Sequence, residues 1–283
     1  MRNVSVLASQ IRASKGNRAV TSRMLRSGVI QGPAYDLWAE TYDYFLPNRA
    51  WEIAGWARLA KRYGNRVVEW FCGTGELACG LARRDLAVIG VDLMPEMLTV
   101  AERRAAGLPL EQRPDWHQDD IRDAALPRRD YDLSIIALNA FGRMLRYEEQ
   151  VDALRSVRRH LRPGGALALT LGLAGLKSRP EQTGIYGPLR SVPADWSLRK
   201  VVRESYDAET QTSRIHDHIE VRVGENERYF EYALSLHLFT PDEIFRLLTK
   251  TGFVAVGMYS GFDWKPWHEG EAEWIVTAER PLE

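Results

Sequence analysis

The chain has 283 residues, a formal net charge of +0 at pH 7, 45% hydrophobic and 27% charged residues. That length suits one large domain or one and a half, and the composition is ordinary for a soluble globular protein. Zero net charge gives no field argument for nucleic acid or an anionic membrane, and no apolar run approaches the roughly 18 residues of a bilayer span.

Residues 1–33 carry Arg2, Arg12, Lys15, Arg18, Arg23 and Arg26 and no acid. This basic extension reads as a disordered tail or an oligomer arm that would pair subunits in a homodimer. An organelle transit peptide has a similar composition, and Met24 could serve as an alternative start. No secretory h-region is present. The two cysteines, Cys72 and Cys79, form neither a zinc pattern nor a sensible disulfide, so a reducing, cytoplasmic setting is expected.

Regular structure is expected from about Tyr35. Tyr35, Trp38, Tyr42 and Phe45 fall at helical spacing, and Trp51 to Tyr63 reads as a second helix. The run Val67 to Asp92 then reads strand, glycine turn, helix, strand, acid. Val67, Val68 and Glu69 lead into Cys72-Gly73-Thr74-Gly75, a helix follows from Glu76, and Ala87 to Val91 ends in Asp92. One such βαβ unit binds a nucleotide-like cofactor. Glycines let the backbone approach a ligand, and a helix N-terminus offers N–H groups to a carboxylate or phosphate. An acid ending the second strand can accept from both ribose hydroxyls.

Pro95 opens the next helix, and Trp116 to Asp123 carries the acid pair Asp119-Asp120. Tyr131 to Leu138 is a continuous apolar strand suited to a parallel sheet buried on both faces. It runs into Asn139-Ala140-Phe141-Gly142-Arg143. An amphipathic helix, Glu148 to Leu161, precedes Pro163-Gly164-Gly165 and a fifth strand, Ala166 to Leu171. Gly172 to Pro193 shows no strong period. Three β-like runs follow, Ser197 to Tyr206, Ser213 to Val223 and Arg228 to Phe239, and read as an antiparallel meander inserted over about 195–239. Phe230, Tyr232, Leu234, Leu236 and Leu238 share one parity. His216 and His218 share a face but lack a third ligand, so no metal is expected. Thr240-Pro241 caps a last helix, and Phe253 to Tyr259 and Glu273 to Ala278 close the sheet. The aromatic loop Gly261 to His268 between them could line a ligand mouth or be plain surface.

The turn C-G-T-G after an acid resembles motif I of class I S-adenosylmethionine (SAM) dependent methyltransferases, not the Gly-x-Gly-x-x-Gly dinucleotide fingerprint. The likeness covers about Tyr35 to Ala278. It implies an α/β fold: a Rossmann-like, seven-stranded, mostly parallel sheet flanked by helices. A "YD-x-x-A-x-x-YD" helix of similar small-molecule enzymes matches Tyr35, Ala39 and Tyr42-Asp43, and implies that it closes over the cofactor with Tyr42 near the methyl group. The resemblance assigns Tyr35, Glu69, Gly73, Thr74, Gly75 and Asp92 to the cofactor. Leu93 or Met94 lies against adenine. Asp120-Ile121, or Asp119 in another register, meets its edge. Asn139 and Phe141 match the "N-S-F-x-H-L" of glycine and sugar-amine N-methylating enzymes. Asn139 goes with the cofactor and Phe141 with the acceptor. The His of that pattern is Arg143 here, which cannot accept a proton but could anchor an anionic acceptor group. His237 is the substrate-facing histidine of choice. Phe71 also departs from pattern, where Gly or Ala is usual.

The expected activity is methyl transfer from SAM to a small-molecule nitrogen or oxygen, by in-line displacement, with Tyr42 and His237 as candidates for positioning or base work. The rivals are a SAM-binding scaffold with non-methylating chemistry, a nucleic-acid methyltransferase, a nicotinamide oxidoreductase, and a Rossmann-like unit with another ligand. The absence of N-P-P-Y after the fourth strand speaks against the second.

Overall fold

The computed structural model describes residues 35–172, 178–268, 271 and 273–283. The basic extension of residues 1–33 lies outside them.

Five strands and their crossovers build the first half of a sheet. They are β1 (Arg66–Trp70), β2 (Ala87–Asp92), β3 (Asp115–Gln118), β4 (Tyr131–Ile136) and β5 (Leu161–Gly172). β1 pairs in parallel with β2 on one side and β4 on the other. The chain therefore leaves β1 in both directions, and the strand order reverses beside it. A crevice opens at such a reversal, beyond the carboxyl ends of the strands, and is where open α/β sheets bind ligands. An antiparallel sheet follows: β6 (Arg179–Tyr186), β7 (Trp196–Asp207), β8 (Thr212–Val223) and β9 (Asn226–His237). β10 (Val254–Tyr259) and β11 (Glu273–Glu279) complete the main sheet, whose order is β10-β11-β5-β4-β1-β2-β3. Only β11 runs against its neighbours.

Every residue of β4 is buried, as a strand covered on both faces requires. Helices α1 (Tyr35–Thr41), α2 (Ala50–Tyr63), α3 (Glu76–Ala82), α4 (Pro95–Ala105), α5 (Tyr147–His160) and α6 (Pro241–Lys250) supply the covers. Leu133 and Ile135 point to a core shared with Ile53 and Trp56 of α2 and Leu77 of α3. Val68, Trp70 and Ile136 point the other way, against Leu154 of α5 and Leu248 of α6. Alternate residues of the same strands thus hold two separate helix layers.

The inserted sheet is one strand larger than the sequence suggests. It begins at Arg179, not near residue 195. β6 is an edge strand whose residues are all exposed except Gly184, so no apolar alternation marks it. The expected parity of β9 is kept: Phe230 and Tyr232 are buried, and Leu234 packs beside them against Trp38 of α1 and Met97 of α4. The insert therefore roofs the crevice rather than standing apart from it.

Candidate active site

The turn after β1 is shaped by three left-handed residues: Phe71 (φ 56°), Gly73 (φ 54°) and Gly75 (φ 71°). A Cβ on Gly75 would stand 2.5 Å from the Trp116 ring and 2.8 Å from Ala101 Cβ, so glycine is required there for packing as well as conformation. A Cβ on Gly73 would meet nothing nearer than the Met97 sulfur at 4.0 Å. That backbone faces open space, as a ligand cradle must. Phe71 lines the cavity although its backbone angle favours glycine.

Asp92 is aimed by the backbone. Its Oδ2 accepts from the Gly73 N–H (2.8 Å) and its Oδ1 from the Met94 N–H (2.9 Å). Burial raises its pKa, and these amides oppose the rise. Each oxygen keeps a further lone pair for a ligand. Glu69, on β1 beneath the same cavity, is 3% exposed and its Oε2 has no hydrogen-bond partner. Burial pushes its carboxyl from the ordinary 4.5 up to about 8, with the Arg49 guanidinium opposing. Arg49 is itself held by Glu52, with bonds of 2.6 and 2.7 Å.

Two clasps close the segment 41–50 over this turn. Thr74 Oγ1 donates to Asp43 (2.8 Å), and Arg104 donates both to Asp43 and to the Thr74 carbonyl. Arg190, from the loop after β6, forks onto Glu76 (2.6 and 3.0 Å) and donates to the carbonyls of Leu46 and Pro47. The enclosed cavity holds about 370 Å³. Its floor is the Phe71–Thr74 turn with Asp92, and its roof is the inward face of β7, β8 and β9, including Lys200, Asp217 and Tyr232.

Residues 67–165 match the methyltransferase domain family. The described residues carry the fold of class I SAM-dependent methyltransferases. The chain superposes on the CcbJ methyltransferase from Streptomyces caelestis with a TM-score of 0.70 at 20% identity, covering 86% of this chain and 96% of that one. It superposes on the sugar N-methyltransferase KedS8 from Streptoalloteichus sp. with a TM-score of 0.67 at 19% identity, covering 95% and 97%. Among curated relatives, the ubiquinone/menaquinone biosynthesis C-methyltransferase UbiE of Syntrophotalea carbinolica is 33% identical over 150 residues, 50% of this chain and 61% of that protein. The match spans about half or less of the first curated relatives, between 39% and 53% of their length.

Most residues singled out in the sequence meet around this cavity. Tyr42, Glu69, Gly73, Thr74, Asp92, Leu93, Met94, Asp120, Ile121 and Arg143 all line it. Tyr42 packs on Trp38 at 4.9 Å. Burial pushes its phenol up to about 12, with Arg143 opposing, so at neutral pH it is a hydrogen-bonding hydroxyl and not a base. Asp120 is gripped by Arg122 (2.9 and 2.5 Å), which in turn reaches Glu149 (2.8 Å). Asp119 also lines the cavity, while its oxygens accept from the backbone of Asp120 and Ala125.

Other residues singled out in the sequence lie off the cavity wall. Phe141 is fully buried and stacks on Phe239 (5.3 Å), so it is core, not acceptor wall. Asn139 adopts φ 55° and accepts from the Gly172 N–H (3.0 Å), tying the end of β4 to β5 outside the cavity wall. His237 bonds Glu243 at 2.7 Å, the residue that closes the capping box of α6, and is likewise off the wall. Gly75 acts through packing and not as a cavity wall. The loop 261–268 turns to α2, where Phe262 meets Trp56 at 4.9 Å. The side chain of Tyr35 lies outside the description. Conversely, Arg49, Lys200 and Asp217 reach the cavity unannounced. Asp217 carried one readable signal, an acid on the same parity as Ile215 and Ile219.

Proposed function

We propose that this protein is a SAM-dependent methyltransferase acting on a small-molecule nitrogen or oxygen nucleophile. The observation that carries the reading is the shared cavity: the glycine turn, Asp92 and Glu69, whose buried Oε2 has no hydrogen-bond partner, border the same space that the inserted sheet roofs. The residues fit the cofactor. The open face of Gly73 leaves room for its backbone approach, Asp92 would take the ribose hydroxyls, and Glu69 Oε2 would take an N–H of the amino group. Leu93 and Met94 supply the apolar surface for the adenine, with Asp120 and Ile121 at its edge. Bound SAM supplies a methyl group already activated on a sulfonium.

The protein's part is then alignment and exclusion of water. The two clasps hold α1 and the following turn over the cavity, whose wall includes Tyr42 from that turn and Arg143 from the segment after β4. Both can orient a nucleophile by hydrogen bonding. A roofed cavity of about 370 Å³ supports a small acceptor over a nucleic acid strand. Among the described residues no helix is long and apolar enough to cross a membrane. Cys72 and Cys79 are buried free thiols, which is compatible with a reducing cytoplasm.

Calorimetric titration of SAM and S-adenosylhomocysteine into the wild type and Asp92→Ala tests the cofactor reading. Micromolar binding of both, weakened by about 2 kcal/mol or more in the variant through loss of charge-assisted hydrogen bonds, is expected. No heat with either ligand in a folded protein sinks the reading. Transfer of labelled methyl to candidate acceptors then tests the reaction itself.

A further inference from the structure

The roof of the cavity is lined by Val202, Ile215, Ile219, Leu234 and Leu236, with Tyr232 and an inward-facing ion pair as its polar members. Asp217 of β8 sits in register between Val202 of β7 and Tyr232 of β9, with Ile215 and Ile219 as its neighbours on the same face. It is 8% exposed. Lys200 Nζ stands 3.5 Å from Oδ2, while the buried Oδ1 has no hydrogen-bond partner. A carboxylate in such a place costs free energy unless its oxygens are satisfied, and one lysine at this distance serves only one of them. Burial raises the proton affinity of the carboxyl, opposed by Lys200, which makes it a better proton acceptor than an exposed aspartate. The row continues toward the proposed transfer point: Tyr232 stacks on Trp38 at 4.5 Å, and Trp38 packs on Tyr42. Neither Tyr42, with its phenol near 12, nor Arg143 can take a proton at neutral pH.

We propose that Asp217 receives the acceptor: Oδ1 takes an N–H of a small cationic amine, and the carboxylate accepts the proton that must leave nitrogen before attack. This rests on the SAM-dependent reading above. The ammonium gives one proton to Asp217 and becomes a neutral amine. Its lone pair forms the N–C bond to the methyl carbon while the C–S bond breaks and its electron pair returns to sulfur. The sulfonium becomes a thioether, the positive charge passes to the methylated nitrogen, and Asp217 releases its proton to water as product leaves. Lys200 keeps the empty site from standing as an isolated buried anion.

The test needs no knowledge of the acceptor. Sinefungin, a SAM analogue with a protonated amine at the position of the methyl-bearing sulfonium, carries a cation toward the acceptor side; S-adenosylhomocysteine does not. Calorimetry at pH 7.5 should show wild type favouring sinefungin over S-adenosylhomocysteine by roughly tenfold or more, and D217N reducing that ratio to near one. D217N should bind S-adenosylhomocysteine as the wild type does. A ratio equal in wild type and D217N overturns the assignment and leaves Asp217 as the counter-ion of Lys200. Failure of wild type to bind either compound instead overturns the cofactor reading beneath it. Should D217N lose both ligands through misfolding, the double variant K200M/D217L, which removes both buried charges together, asks the same question: the ratio should fall to near one, and a ratio equal to that of the wild type refutes the proposal.

Discussion

Replacing Glu69 by glutamine probes the most costly group in the site. A carboxyl whose pKa rises from 4.5 to about 8 on folding is a liability once ionised. The native state binds more protons than the unfolded chain between these values, so stability is full below 4.5 and falls as the pH rises to about 8. At about 1.4 kcal/mol for each tenfold change in proton affinity, the loss approaches about 5 kcal/mol. Glu69→Gln keeps the shape and removes the titration. Urea denaturation from pH 5 to 9 should therefore show the variant gaining on the wild type by several kcal/mol as the pH rises. The same group should report on the cofactor. Below a pH of about 8 it is mostly protonated, and pairing with the amino group of SAM would ionise it, releasing up to about one proton per SAM bound at pH 7. Calorimetry in buffers of different ionisation enthalpy measures that number directly, and Glu69→Gln should reduce it to near zero. A stability difference that stays constant between pH 5.5 and 8.5, or binding without proton release, would refute the reasoning.

Three other outcomes follow from single contacts. Gly75→Ala forces a Cβ to 2.5 Å from Trp116 at φ 71° and should cost about 2–4 kcal/mol by denaturant unfolding; near-wild-type stability would mean that the turn relaxes freely. His237→Ala should cost about 1–2 kcal/mol without changing turnover, and lost turnover at wild-type stability would return His237 to the reaction. Burial pushes the Glu243 carboxyl up, but the His237 hydrogen bond carries it below the ordinary range. That contribution is therefore present above the ordinary carboxylate pKa and lost as pH falls through the lowered value, so the variant's deficit should shrink in acid. Arg190→Ala removes the fork onto Glu76 and should weaken SAM binding by about 1 kcal/mol, a factor of roughly five, with faster amide exchange over residues 44–50; unchanged exchange would show that the clasp does not hold that segment.

The sequence by itself determined what depends on local order. The spacing of Glu69, the glycine turn and Asp92 specifies a βαβ unit because one strand, one tight turn and one return strand are enough to bring those groups together. The apolar run of β4 and the parity of β9 announced which residues would be buried, since a strand's faces alternate strictly. Tertiary structure decided everything set by pairing across distance. The family pattern alone puts Phe141 and Asn139 at the site, and the return of the insert to the core alone puts His237 there. Their partners are Phe239, Gly172 and Glu243, on elements that fold back onto them from elsewhere or cap the next helix. The exposed β6 had no pattern to read. Asp217 became part of the cavity only because β8 roofs the end of β1, more than a hundred residues earlier in the chain. A side chain's chemistry is written in its own residue, but its partners, burial and proton affinity belong to whatever the fold places against it.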